Sequence, residues 1–117
     1  MFRSLFGQVM GGTAVKNITP NEVQEFIKSK KPILLLDVRQ PEEFAHDGHI
    51  KGARLMPLSS LRDRASELPK DTPIVCVCRS GARSRTACEQ LTRQGFADIS
   101  NLSGGMIAWK RARLPFI

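Results

Sequence analysis

Cys78 is followed by Arg79, Ser80, Gly81, Ala82, Arg83 and Ser84, a thiol with two cations, two hydroxyls and a glycine in the next six positions. A cysteine is a nucleophile as its thiolate, and a free thiol ionises near pH 8.5, so nucleophilic chemistry at neutral pH needs an environment that favours the anion. Arg79 and Arg83 offer full positive charge. Gly81 permits a tight turn that aims backbone N–H groups at one point, and a helix beginning there would add the positive end of its dipole. These residues predict a nucleophile in an anion cradle, with Cys78 largely thiolate at neutral pH.

The elements on either side must hold that cradle in place. Ile74-Val75-Cys76-Val77-Cys78 is an unbroken apolar run after Pro73, too short for a helix, which reads as a strand buried on both faces and central in a parallel sheet. Beyond the turn, Ala87, Cys88 and Leu91 recur at helical spacing, so a helix is expected from Ser84 to a C-cap near Gln94-Gly95. Cys78 then lies in a strand-to-helix loop, where inward N–H groups stabilise a thiolate or a bound anion.

Spacing narrows the chemistry. A cysteine-type phosphatase places arginine after five intervening residues, to wrap three phosphoryl oxygens. Here that position is Ser84, with arginines one residue to either side. A phosphatase or arsenate reductase is therefore disfavoured, and the shorter loop suits a single sulfur atom. The run Cys78 to Ser84 resembles the active-site loop of rhodanese-type sulfurtransferases. So do Asp37-Val38-Arg39-Gln40-Pro41-Glu42-Glu43-Phe44 with Gly48-His49-Ile50-Lys51-Gly52-Ala53, and Leu102-Ser103-Gly104-Gly105-Met106-Ile107-Ala108-Trp109.

The resemblance implies an α/β fold, a rhodanese-like parallel sheet of about five strands with helices on both faces. It also implies a Cys78 persulfide, formed from thiosulfate or a similar small anionic donor and discharged to cyanide or a thiol. No cofactor beyond that covalent intermediate and no metal is expected. Cys78 is the expected catalytic residue and Arg79, Ser80, Gly81, Ala82, Arg83 and Ser84 bind substrate, Arg79 guiding the donor and Arg83 bracing the loop. Asp37, a carboxylate closing an apolar strand, and Arg39 are expected to support the loop. A non-catalytic interaction module or a protein-to-protein sulfur carrier, served by an acceptor protein, is the alternative function.

Length and composition agree with one domain, placed at residues 15–117 behind a tail at 1–14. With 117 residues, 41% hydrophobic content and no apolar run of about 18 residues, a membrane span is not expected. The net charge of +7 favours anionic partners, but the bases are scattered and aromatics few, so nucleic acid is not expected. Three cysteines without a secretory leader point to a reducing cytoplasm. Cys76, Cys78, Cys88, His46 and His49 lack the paired short spacings of a zinc site.

In chain order, Phe2, Leu5, Phe6, Val9 and Met10 fall on one helical face before Gly11-Gly12. This short amphipathic segment either docks on its own domain or frays, or else forms a weak homodimer contact or a membrane-surface anchor. Ala14 to Ile18 reads as a first strand. Thr19-Pro20-Asn21-Glu22 follows as a capping box with a first-turn proline, opening a helix that turns Val23, Phe26 and Ile27 to the core. Ile33 to Val38 is a buried strand, Ala53 to Met56 a short one, and Leu58, Leu61, Ala65 and Leu68 one face of a helix stopped by Pro69. Ile99 to Leu102 is the last strand, after which Gly104-Gly105 allows a close backbone approach near the site. Trp109 reads as core, as does Cys88, and Cys76 as an inert strand thiol, with a resolving-thiol role its alternative. Arg39 and Glu43 are expected in one ion-pair network at the site's edge, with direct substrate contact by Arg39 the alternative. His49 reads as structural, with general base the alternative.

Overall fold

The computed structural model describes residues 15–117 of the chain, so the amphipathic segment expected at 2–10 lies outside the described residues. Ile74–Val77 forms the central strand, β4, numbered with its partners in chain order: β1 is Lys16–Ile18, β2 Leu34–Asp37, β3 Arg54–Leu55 and β5 Ile99–Leu102. They make one five-stranded sheet in the order β1-β5-β4-β2-β3, every pairing parallel. The helices are α1 Pro20–Lys28, α2 Pro41–His46, α3 Leu58–Arg64, α4 Ala82–Arg93 and α5 Gly105–Arg111, with a 3-10 turn at Ala65–Glu67 after α3.

Alternation along the strands assigns side chains to two separate cores. Ile74, Cys76 and Cys78 face the layer of α3 and α4, packing with Leu36, Leu61, Ala87, Cys88 and Leu91. Val75 and Val77 face α1 and α5, packing with Ile18, Val23, Leu102, Met106 and Trp109. All four residues of β4 are buried, as expected of a strand covered on both faces. Trp109 is core, fully buried, its Nε1–H donating to the Pro115 carbonyl at 2.9 Å.

The capping box at the start of α1 is present in both directions. The Glu22 N–H donates to Thr19 Oγ1 at 3.2 Å and the Thr19 N–H to Glu22 Oε1 at 2.9 Å. Val23 and Phe26 of α1 face the core as expected, but Ile27 is 36% exposed. Further readings are revised or extended. Residues 41–46, read above only as part of a motif, form α2, begun by Pro41 at its first position. The helix expected to run through Leu68 loosens into the 3-10 turn at Ala65. And α4 begins at Ala82, two residues before Ser84, because Gly81 takes the left-handed conformation (φ +103°) and acts as its N-cap.

The strands point their C-terminal ends the same way, so the β2–α2, β4–α4 and β5–α5 connections gather at one edge of the sheet. Between β2 and β4 the chain order reverses direction, which is where an open parallel sheet leaves a crevice for ligands.

Candidate active site

Cys78 ends β4 and its sulfur is met from the start of α4. The Gly81 N–H donates to Sγ at 3.1 Å, the Ser84 N–H at 3.4 Å, and Ser84 Oγ lies 3.3 Å away. Of the loop's backbone donors, Gly81 and Ser84 thus make the close contacts with the sulfur, and the Ser80 N–H also acts on it. Ala82 and Arg83, in the first turn of α4, have N–H groups with no partner among the described residues. Cys78 is 1% exposed, while Arg79, Ser80 and Ala82 around it are exposed.

Burial pushes the Cys78 thiol up, and the Ser84 hydroxyl together with the N–H groups of Ser84, Gly81 and Ser80 draws it down further, leaving it below the ordinary value. Of the two sources of stabilisation read from the sequence, inward donors and arginines, the donors lead. Arg83 hydrogen-bonds to Glu43 of α2, with Nη1 and Nη2 on the two carboxylate oxygens at 2.7 and 2.8 Å. Its bond with Arg83 brings Glu43 down to about 2, against desolvation.

Arg39 does not join Glu43 in the expected edge network but pairs with Asp37. Both are buried, and they bond to each other: Arg39 Nε donates to Oδ1 at 2.9 Å and Nη2 to Oδ2 at 2.7 Å. Arg39 Nη2 also donates to the Gly48 carbonyl at 2.9 Å. The pair therefore braces the β2–α2 connection to the segment around Gly48, and the Cys78 loop is tied down by other groups. The Met106 N–H donates to the Cys78 carbonyl at 2.8 Å and the Ile107 N–H to that of Arg79 at 3.1 Å. This approach requires Gly105, where φ is +58° and an added Cβ would overlap the same two carbonyls.

His49 stacks on Phe44 with centroids 3.7 Å apart, and Nδ1 meets the Phe44 carbonyl at 2.9 Å. Its backbone exchanges two hydrogen bonds with Ile117, at 2.7 and 2.8 Å. Every one of these contacts is structural. Cys76 lies on the Cys78 side of β4 and is fully buried, its thiol raised by hydrogen bonding to Cys88 and by burial. Asn101 was missed. It is buried in β5 in register with Cys76, and Ser84 Oγ lies 2.5 Å from its Oδ1 while its Nδ2 donates to the Gly81 carbonyl at 3.2 Å. The available signal was an amide inside a short buried strand, which must find partners.

Beside the loop, Arg79, Arg39, Asp47, Met106, Ile107, Lys110 and Arg111 line an open groove of about 520 Å³. Lys110 Nζ is held by the Asp47 carbonyl and lies over the Phe116 ring. Arg79 and Arg111 have no carboxylate partner among the described residues. Among those residues no helix is long and apolar enough to cross a membrane.

Fold and site together define an α/β domain that presents one buried cysteine sulfur, ringed by hydrogen-bond donors, at the C-terminal edge of a parallel sheet. Residues 19–112 match the rhodanese-like domain, and the chain belongs to that family. It is 41% identical over 103 residues to a protein of Allochromatium vinosum named sulfurtransferase, covering 88% of this chain and 95% of that one. It is 36% identical over 100 residues to thiosulfate sulfurtransferase GlpE of Ectopseudomonas mendocina, covering 86% and 88%. A crystal structure of a rhodanese-related protein from Thermoplasma volcanium superposes with a TM-score of 0.80 at 30% identity, covering 87% of this chain and 97% of that one. These relatives place the chain in a sulfurtransferase family.

Proposed function

We propose that the protein is a sulfurtransferase that carries sulfane sulfur as a Cys78 persulfide. The observation that carries this reading is the ring of donors on Cys78 Sγ, two backbone N–H groups and one hydroxyl, at the start of α4. In the first half-reaction the Cys78 thiolate attacks the outer sulfur of thiosulfate. The new S–S bond forms as the old one breaks, and sulfite leaves with the bonding pair. In the second, cyanide or a thiolate attacks the outer sulfur of the persulfide and Cys78 departs as thiolate. Negative charge thus alternates between Sγ and the outer sulfur. The N–H groups of Ala82 and Arg83, without a partner among the described residues, are the candidates to receive it on the outer atom, as oriented donors stabilise an oxyanion.

Burial of Cys78 favours a small donor over a bulky one and shields the persulfide from water. Arg79 and Arg111, beside the groove and without a carboxylate partner among the described residues, suit an anionic donor. Position 84 argues against phosphoryl transfer, since a hydroxyl touching the sulfur stands where an arginine would clamp phosphoryl oxygens.

The test is the intact mass of the reduced protein after incubation with thiosulfate, beside Cys78→Ser. Gain of one sulfur by the wild type alone, reversed by cyanide, supports the persulfide. No gain in either protein would count against thiosulfate as donor and favour an interaction module.

A further inference from the structure

Ser84 has one hydroxyl hydrogen and faces two acceptors. Its Oγ lies 3.3 Å from Cys78 Sγ and 2.5 Å from Asn101 Oδ1. All three residues are buried, at 0%, 1% and 5% exposure for Ser84, Cys78 and Asn101. One hydrogen serves one acceptor well, so the other must go without. The amide of Asn101 is fixed in its orientation, because Nδ2 donates to the Gly81 carbonyl at 3.2 Å and to Asn17 Oδ1 at 3.4 Å. Turning it over would set Oδ1 against the Gly81 carbonyl, two acceptors with no hydrogen between them.

We propose that Asn101 is a positioning residue for Cys78: it holds the Ser84 hydroxyl hydrogen on its own Oδ1 while Sγ is neutral and releases it to Sγ when the sulfur is anionic. The hydroxyl rotates and its O–H bond stays intact; the proton lost by the thiol leaves to solvent. With Sγ neutral as a thiol, Cys78 donates to Ser84 Oγ and Ser84 donates to Asn101, so both bonds are made. With Sγ anionic, Ser84 donates to the sulfur and Asn101 Oδ1 is left buried without a donor, which is costly. Asn101 therefore opposes charge on Sγ. In a persulfide the charge sits on the outer sulfur, Sγ is neutral again and the hydrogen returns to Asn101, so the same residue favours the loaded enzyme over the bare thiolate. That last step rests on the persulfide reading above; the ionisation effect does not.

The other titratable or charged groups around the sulfur are Cys76 on β4, Arg79 in the loop, Arg83 on α4 with its partner Glu43 on α2, and the Asp37–Arg39 pair at the end of β2. None is altered in the variants that follow, so they supply a constant background.

The experiment is the rate of Cys78 alkylation by iodoacetamide in the native protein as a function of pH. It compares wild type, Asn101→Leu, Ser84→Ala and the double variant. Asn101→Leu should lower the midpoint by about 0.4 to 1 pH unit, the size of one net hydrogen bond. Ser84→Ala should raise it, and the double variant should coincide with Ser84→Ala. A residue that merely steadies Gly81 would give the opposite sign in Asn101→Leu, because looser donors raise the midpoint. That outcome, or no shift, overturns the proposal. Should Asn101→Leu fail to fold, Asn101→Ala removes the same acceptor and carries the same expectation. Sulfur transfer does not enter the readout, so failure of the proposed activity leaves the result interpretable.

Discussion

Glu43 and Arg83 meet face to face across the site, the guanidinium Nη1 and Nη2 on the two carboxylate oxygens at 2.7 and 2.8 Å. One stands on α2 after β2 and the other on α4 after β4, so the pair joins the two connections that diverge from the crevice. It also commits the guanidinium of Arg83 to a carboxylate, so the hydrogen bonds on the sulfur come from backbone N–H groups and a hydroxyl.

That pair makes stability depend on acid. The Glu43 carboxyl is held at about 2, below the 4.5 of the free group. A depressed carboxyl contributes stability that is complete above the unfolded value and is lost as pH falls through the folded one. The difference in unfolding free energy between wild type and Glu43→Gln should therefore shrink from pH 5 to pH 2. Its size should be at most about 1 kcal/mol, because the Arg83 side chain is 36% exposed and solvent screens the pair. A constant difference over that range would disprove the assignment.

Asp37 and Arg39 should behave differently, since both side chains are almost fully buried. Asp37→Asn leaves a buried guanidinium without a counter-charge, which costs about 3–5 kcal/mol. Urea unfolding would measure it. A loss below about 1 kcal/mol would mean that water reaches the pair.

Two glycines separate backbone conformation from steric fit. At Gly52, φ is +89° and an added Cβ meets nothing within 4 Å. Gly52→Ala should cost only the left-handed conformation, about 1–2 kcal/mol. At Gly105 the added carbon also overlaps the Cys78 and Arg79 carbonyls. Gly105→Ala should be clearly less stable than Gly52→Ala and should slow Cys78 alkylation, because the loop must move. Equal denaturant midpoints for the two variants would argue against a rigid contact.

The three thiols should differ in reactivity. Cys78 lies below the usual thiol range and Cys76 well above it, the latter because of its bond to Cys88 and its burial. At pH 7 the native chain should take one alkyl group, and Cys78→Ser none, as read by mass. Modification of Cys76 before Cys78 would show that access, not ionisation, governs the order.

Much of this architecture was legible from residue types alone. Apolar runs such as Ile74–Val77 are too short for helices and unbroken, so they can only be strands covered on both faces. The capping box at Thr19 and Glu22 marks a helix start because both bonds are local. The Cys78 loop was legible for the same reason: the thiol, Gly81, Ser84 and the helix that aims their N–H groups are contiguous in the chain. Local chemistry is written in local sequence.

What the sequence could not decide was which distant groups meet. That Glu43 pairs with Arg83 and Arg39 with Asp37, where Arg39 and Glu43 were expected together, depends on where α2 lies against α4. That in turn depends on the packing of a six-residue helix too short to announce itself by periodicity. Asn101 stood out only as an amide in a buried strand, and its partners were hidden for the same physical reason. It reaches Ser84 and Gly81 because β5 pairs beside β4 in a register that sets it opposite Cys76. Parallel pairing is a long-range choice, made by the burial of whole strands, and only the folded sheet determines which side chain it delivers to the sulfur's hydroxyl partner.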